Sequence, residues 1–408
     1  MTILFWICFF IIFYTYIGYG ILIYFIIRLR RAIYGKRKPL SANVQELPSC
    51  SLVIAAYNEA ACIRQKIENT LSLSYPSGLL KIYIVTDGSS DGTPDIIKEY
   101  PNIIVLHQPE RQGKIAAIDR VMKIIDSEIV VFTDANTILN KDALLEICKC
   151  YVDPSVGAVA GEKRVFFDDK ADASAAGEGI YWKYESQLKK WDSELYSVVG
   201  TAGELFSVRT ALFQPVQMDT VLDDFMISMK IAEKGYRIVY QPKAFAVESS
   251  SEDVKEELKR KIRIAAGGMQ AVIRLSSLMN PFKQPILTFQ YLSHRVLRWT
   301  ITPLLLVALF FINLYIMQLG GPPIYSVLFY LQMLFYALAL LGWVLESKQL
   351  KFKVAFVPYY FCIMNYAVLA GMVRYFRNKQ SAVWDKAKRR NDKEGKVAPV
   401  IIKKSYEI

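Results

Sequence analysis

Ile129-Val-Val-Phe-Thr-Asp134-Ala-Asn136-Thr137 decides how this chain is read. A short apolar, β-branched run of this kind is what a strand buried on both faces requires. It stops abruptly at two oxygen-bearing side chains separated by one small residue. In open α/β sheets, ligands bind beyond the carboxyl ends of the strands. Asp134 and Asn136 alternate about Ala135, so both can point to one side and share a hard cation. Asp-x-Asn after a strand is also ordinary turn chemistry, and the stretch alone leaves both readings open.

Working outward, Pro48 to Ser276 reads as a water-soluble block whose first half alternates strand and helix patterns. Strands are expected at Ser51–Ala56, Lys81–Thr86, Asn102–Leu106 and Glu128–Thr133, with helices at Glu59–Leu73, Thr93–Glu99 and Gly113–Ile125. Repeated βα units with buried strands imply an α/β fold with a mostly parallel sheet covered by helices. The strand ends carry Tyr57-Asn58-Glu59, Asp87-Gly-Ser-Ser-Asp91, Gln112-Gly113-Lys114 and Asp134-Ala-Asn136. A lysine opening a helix opposes the dipole unless a phosphate lies there.

The flanks differ in character. The chain has 408 residues, 53% of them hydrophobic, and the apolar excess is concentrated at its ends. Ile3–Ile27 is long enough to cross a bilayer core and is followed by Arg28, Arg30, Arg31, Lys36, Arg37 and Lys38. That is an anchor with a cytoplasmic basic flank, without the features of a removable signal. Trp299–Met317 and Ile324–Leu345, joined by a Gly-Gly-Pro-Pro turn, read as a hairpin of spans. Val354–Phe376, holding Pro358 and Asn365, is expected either to cross or to dip and return, with a cytoplasmic tail favoured. Asn280–Trp299 reads as an amphipathic helix lying in the membrane interface.

The expected layout is therefore an anchor at 1–28, a basic linker at 29–47 and a cytosolic domain at 48–278. An interfacial helix follows at 279–298, then membrane segments at 299–377 and a basic tail at 378–408. The net charge of +12 is assigned to lipid head groups rather than nucleic acid. Six cysteines without zinc or disulfide spacing suit a cytosolic domain. A small transporter is disfavoured, because the spans lack charges.

The ordered series Ala55-Ala-Tyr-Asn-Glu59, Val85-Thr-Asp-Gly-Ser-Ser-Asp-Gly-Thr93, Gly113-Lys114, Phe132-Thr-Asp-Ala-Asn-Thr137 and Leu222-Asp-Asp-Phe225 resembles the motifs of family 2 glycosyltransferases. More specifically, it resembles the membrane-integrated branch that contains cellulose, hyaluronan and poly-N-acetylglucosamine synthases. The resemblance covers nearly all of Ser51–Gln270. It implies a GT-A-like nucleotide-sugar-binding fold flanked by transmembrane helices, and inverting transfer from a UDP-sugar at the inner membrane face. Carried over by position, Tyr57, Glu59 and Asp87 hold uracil and ribose. Lys114 and Arg263 meet the diphosphate, and Asp134 binds it through Mg²⁺ or Mn²⁺, with Asn136 a weaker ligand.

Asp224 matches the catalytic base, and Asp223 stands where the family more often has Glu. Their residue-level alternative is a helix N-cap pair. Asp223, Gly203, Glu204 and Arg260 fall on the acceptor side, and the aromatic face of Gly177–Glu185 is a candidate sugar platform. His107 and His294, the two histidines, are expected in structural or phosphate-proximal roles. Processive synthases carry Gln-x-x-Arg-Trp where this chain has Arg260-Lys-Ile-Arg263-Ile264. The missing Trp leaves two enzymatic versions: a polysaccharide synthase, or single addition to a polyprenyl-linked acceptor. Four hydrophobic segments make a narrow channel, so an oligomer or export partner is allowed for. A catalytically silent nucleotide-sugar-binding scaffold is the non-enzymatic alternative.

Overall fold

The computed structural model describes residues 1–35, 47–166, 173–249, 254–347 and 353–377. They divide into a sheet unit, residues 47–166 and 196–249 with 254–256, and a helical unit, residues 1–35, 173–195, 257–347 and 353–377.

In the sheet unit the strands are β1 (Cys50–Ala56), β2 (Leu80–Asp87), β3 (Ile104–Gln108), β4 (Ile129–Asp134), β5 (Thr137–Leu139), β6 (Val156–Phe166), β7 (Leu205–Arg209) and β8 (Arg237–Ser249). They form one sheet in the order β3-β2-β1-β4-β7-β6-β8-β5. β3, β2, β1 and β4 run parallel, as the βα pattern predicts. β7 is antiparallel to both β4 and β6, β6 pairs parallel with β8, and β5 closes the edge antiparallel to β8.

The strands are apolar because both faces are covered. Ile54, Ile82 and Ile84 pack with Ile63, Ile67 and Ile97 from the helices Ile63–Leu71 and Thr93–Lys98. Leu52, Ile129 and Val131 pack with Leu144 and Ile147 of the helix Ala143–Lys149. The expected strands and helices are all present, shifted by a few residues at their ends.

The helical unit holds four helices that are long and apolar enough to cross a membrane, among the described residues: Thr2–Tyr34, Ile301–Gln318, Pro323–Glu346 and Val354–Phe376. Thr2–Tyr34 has 33 residues, about 50 Å of helix against a hydrocarbon core of about 30 Å. Its first half packs Phe5 and Cys8 on Leu309, Ile316 and Tyr325. Its second half packs Tyr19, Ile23 and Ile27 on Leu188 of the helix Ala173–Leu195. Two arginines of the basic run that follows have protein partners. Arg31 makes a two-pronged pair with Glu194, and Arg30 donates to the Glu194 and Leu195 carbonyls. Those carbonyls end a helix and need donors from outside it.

Three expectations meet the structure here. Within the block expected at 48–278, residues 173–195 and 257–274 cluster with the apolar helices. The segment 279–298, expected as an interfacial helix, has one helical face buried in protein. Its helical part, Pro285–Tyr291 continued by Leu292–Val296 and Leu297–Trp299, buries Leu287, Gln290, Tyr291, Ser293 and His294. Amphipathic spacing identifies a buried face but not what buries it. Finally, Lys353–Phe376 is a continuous helix through Pro358, with no break at which it could dip and return. Asn365 is satisfied within it, donating to the Phe361 carbonyl and accepting from Tyr16. Lys36, Arg37, Lys38 and the tail from 378 lie outside the described residues.

Candidate active site

At the carboxyl ends of the parallel strands, one cleft is lined by Tyr57, Glu59, Asp87, Lys114, Asp134 and Asn136. All six were singled out from the sequence, and they arrive from four places on the same sheet edge: the turns after β1 and β4, the end of β2 and the start of the helix at Lys114. The turns lock one another. Asn58 takes a left-handed backbone, φ 54°, accepting from Ser90 N–H at 2.8 Å while its own N–H reaches Ser89 Oγ at 3.1 Å. Asp91 accepts from Ala60 N–H at 3.0 Å. The Ser-Ser-Asp segment is thus a brace for the first strand's turn.

Asp87 faces two ways. Its Oδ2 accepts from the N–H groups of Gln112 at 2.9 Å and Gly113 at 2.6 Å, fixing the loop that opens the helix Lys114–Met122. Its Oδ1 is buried, accepts no hydrogen bond, and has the Arg120 guanidinium 3.7 Å away. Arg111, which the sequence reading passed over, also lines the cleft and lays its guanidinium 3.8 Å from the centre of the Tyr57 ring. A cation on an aromatic face is a favourable pair.

Beside this cleft the carboxylates gather. Lys114 Nζ lies 3.0 Å from Asp134 Oδ1 and 3.7 Å from Asp223 Oδ2. A Cβ on Gly203 would stand 3.3 Å from Lys114 Nζ, 3.6 Å from Asp224 Oδ2 and 3.8 Å from Asp134 Oδ1. Gly203 therefore lies among all three groups, and its missing side chain keeps that space open. Asp223 and Asp224 open the helix Asp223–Glu233 and sit inside its first turn, with Leu222 as the N-cap residue. They are not the N-cap pair that spacing alone allowed. The preceding loop depends on Gly200, φ 85°, where a Cβ would fall 2.1 Å from the Phe225 ring.

Burial and mutual repulsion set the charges. Burial, with Asp223 next to it, pushes the Asp224 carboxyl up to about 7. Burial also raises Asp134, against the pull of Lys114. Burial works against the Lys114 ammonium, but Asp134, Asp223 and Asp224 together hold its pKa above the ordinary lysine value. A carboxyl that changes protonation near neutrality, beside an ammonium held charged, is the arrangement acid–base chemistry uses.

Other expected residues take different places. Glu204 pairs with Lys163, which also binds Glu248 at 2.5 Å. Arg260 is paired with Glu257 at 3.0 Å, and Arg260 and Arg263 belong to the helical unit. Trp182 of the proposed aromatic platform stacks with Lys189 and Lys261, and Glu185 is buried among cations. His107 accepts or donates to Thr86 Oγ1 at 2.8 Å, between neighbouring strands.

Sequence reasoning also missed Lys66, which is fully buried beneath the Asp134 turn. Its burial lowers it to about 7, against the attraction of Asp134. The signal was present: a lysine on the helical face that Ile63, Ile67 and Thr70 turn inward.

Among the described residues no group of three or more His, Cys, Asp or Glu could hold a metal ion. Asp134 supplies a hard oxygen donor, whereas Mg²⁺ needs six and Mn²⁺ likewise favours oxygen. These residues fit such an ion only when a diphosphate brings further oxygens.

Known proteins resemble this chain in sequence and in fold. Residues 51–214 match the family described as Glycosyl transferase family 2. Poly-beta-1,6-N-acetyl-D-glucosamine synthase of Staphylococcus aureus (strain COL) is 30% identical over 255 residues, 60% of this chain and 60% of that protein. Its Staphylococcus epidermidis counterpart is 26% identical over 268 residues, 62% of this chain and 64% of the relative. The chain thus spans less than two thirds of the length of these relatives. The mannosyltransferase PcManGT of Pyrobaculum calidifontis, solved with GDP-Man and Mn²⁺, shares the fold with a TM-score of 0.69. It is 23% identical and covers 92% of this chain and all of its own. With the strand-end motifs and the parallel half-sheet, residues 51–214 match glycosyl transferase family 2, and the sheet unit has a GT-A-like fold.

Proposed function

We propose that this chain is a membrane-bound, inverting glycosyltransferase that moves a sugar from a UDP-sugar to a carbohydrate or lipid-linked acceptor at the inner membrane face. The observation that carries the reading is the meeting of Lys114, Asp134, Asp223 and Asp224 around Gly203. The family match and the four apolar helices support it. The relatives named as poly-N-acetylglucosamine synthases support a role in exopolysaccharide or cell-envelope glycan synthesis.

In this reading the base and ribose lie against Tyr57, Glu59 and Asp87, with Asp87 Oδ1, which accepts no hydrogen bond from the chain, accepting from the base. Asp224 takes the proton of the acceptor hydroxyl as its oxygen attacks the anomeric carbon. The bond from that carbon to the diphosphate oxygen breaks on the opposite face, which inverts the centre. A general base contributes about 10²–10⁴ in rate, best when its pKa is near the working pH. Lys114 meets the negative charge that develops on the diphosphate. Asp134, weakly helped by Asn136, would hold Mg²⁺ or Mn²⁺, which supplies further stabilisation of that charge. Asp223 keeps Asp224 basic and, with Gly203 and Glu204, borders the acceptor. Arg260 and Arg263 are proposed for the acceptor end and the diphosphate.

Ile264, standing where processive relatives have Trp, favours a second reading in which one sugar is added to a polyprenyl-linked acceptor. A silent binding scaffold has no use for a buried carboxyl poised near neutrality. Membranes holding the protein, incubated with labelled UDP- and GDP-sugars, separate these readings. A ladder or polymer rejects single addition, a single lipid-linked product rejects the synthase, and no transfer from any donor rejects both.

A further inference from the structure

Lys66 has no exposed surface. From the helix Ile63–Leu71 its ammonium donates to Thr133 Oγ1 at 3.0 Å, the Thr137 carbonyl at 2.9 Å and Thr137 Oγ1 at 3.3 Å. Three donors thus meet three acceptors. Each hydroxyl then has its own proton to give outward. Thr137 Oγ1 donates to the Asp134 carbonyl at 2.9 Å, and Thr133 Oγ1 donates to the Glu204 carbonyl at 2.9 Å. Hydrogen bonds arranged in series polarise one another. One turn along the same helix, Asn69 pairs with both the N–H and the carbonyl of Leu139, each at 2.9 Å. The helix therefore grips both ends of β5 and holds the Asp134–Asn136 turn from beneath.

Stability alone does not explain a cation in this place. Taking an ammonium out of water costs several kcal/mol even after relaxation, and apolar side chains of similar volume often serve a core as well. We infer that Lys66 is a positioning residue, which fixes the backbone of Asp134 through Thr137 and that of Glu204 through Thr133. The Asp134 carboxylate is thereby held at the angle from which it meets a metal–diphosphate. The last step rests on the proposed role of Asp134; the positioning of the turn does not.

The test uses the full-length protein in detergent and two variants. Lys66→Met removes the ammonium at similar volume. Thr137→Val removes one relay hydroxyl and keeps the charge. Two quantities are read: hydrogen exchange across 133–139, and Mn²⁺ affinity in the presence of UDP or GDP. Both variants should lose protection in that segment while β1 and β2 keep theirs. Both should bind Mn²⁺ about tenfold more weakly, the lower end of what outer partners of metal ligands contribute.

Native protection in both variants overturns the inference, whatever the protein binds. Tighter Mn²⁺ binding in Lys66→Met with no change in Thr137→Val also overturns it, because Lys66 would then act only as a repelling charge. Should Lys66→Met fail to fold, Thr137→Val decides by the same two readouts. If the wild type binds no Mn²⁺ with either nucleotide while the exchange result holds, the role given to Asp134 fails and the positioning of the turn stands.

Discussion

Two clusters of buried charge, one in each unit, are built from the same residue types and differ in how their oxygens are used. In the helical unit every carboxylate oxygen of Glu185 and Asp192 is engaged. Glu185 meets Arg295 at 2.8 Å, Arg298 at 3.1 Å and His294 at 3.2 Å. Asp192 takes His294 Nδ1 at 2.6 Å, Gln290 at 3.2 Å and the Tyr19 hydroxyl. Burial opposes the Glu185 charge, yet Arg295, His294 and Arg298 hold it well below the ordinary carboxylate range. In the sheet unit, by contrast, Asp87 Oδ1 and Asp223 Oδ2 accept no hydrogen bond, and Asp224 is raised. A cluster that satisfies itself ties helices together. A cluster that leaves buried oxygens without a hydrogen bond can still take one from a bound molecule, and such groups call for a functional reason.

The contrast predicts opposite responses to mutation. The largest effect is expected for Asp224→Asn: turnover falls by about 10²–10⁴, while Mn²⁺ and UDP binding, read by calorimetry, stays within about threefold of wild type. Loss of binding in equal measure would make Asp224 a binding group. Glu185→Ala strands Arg295, Arg298 and His294 and should cost about 3–5 kcal/mol. Denaturant or thermal unfolding in detergent reads that loss. Unchanged stability would mean that the helical cluster is not a tie.

Lys114→Met comes next, since a hydrogen bond to a charged group contributes about 1.5–3 kcal/mol. UDP with Mn²⁺ should bind about 10–100-fold more weakly. Binding left intact would move the phosphate contact elsewhere.

The smallest effect is the dependence on pH. Only deprotonated Asp224 accepts a proton, so kcat/KM should fall as pH drops below about 7 and level off above it. The residual activity of Asp224→Asn should lack that limb. For stability the sign reverses. Because the pKa is raised from 3.8 to about 7, the folded state holds a proton that the unfolded state has released. The benefit of that retained proton is present below about 4 and is lost as pH rises through about 7. Asp224→Asn should therefore gain thermal stability relative to wild type between pH 5 and 8, as followed by scanning fluorimetry. A flat difference would show that Asp224 ionises normally.

What could be read in advance divides along the same line. β1 to β4 and their terminal polar residues were legible, because a doubly covered parallel strand must be an apolar run and its ligand-facing end must be polar. Asp134, Asp87 and Lys114 are written next to the strands and helices that carry them. The tie around Glu185 was not legible. Gln290 and His294 find Asp192 about a hundred positions away, and spacing along the helix cannot tell protein from lipid on its far side. Lys66 was hidden for a related reason. Lysine is rarely buried without partners, and its partners, Thr133 and Thr137, look like ordinary strand residues until the fold brings them beneath the turn. Arg111 escaped because nothing in a sequence announces that an arginine will lie on a particular tyrosine ring.

The central claim is that the cluster of Lys114, Asp134, Asp223 and Asp224 around Gly203 transfers sugar from a nucleotide donor. Purified full-length protein incubated with UDP- and GDP-sugars, Mn²⁺ and membrane lipid extract, with release of nucleoside diphosphate followed over time, tests it most directly. The account predicts release from one class of donor that stops with chelator and falls by at least about 10² in Asp224→Asn. Equal release by wild type and Asp224→Asn, or no release from any donor by a preparation that binds UDP or GDP with Mn²⁺, would contradict it.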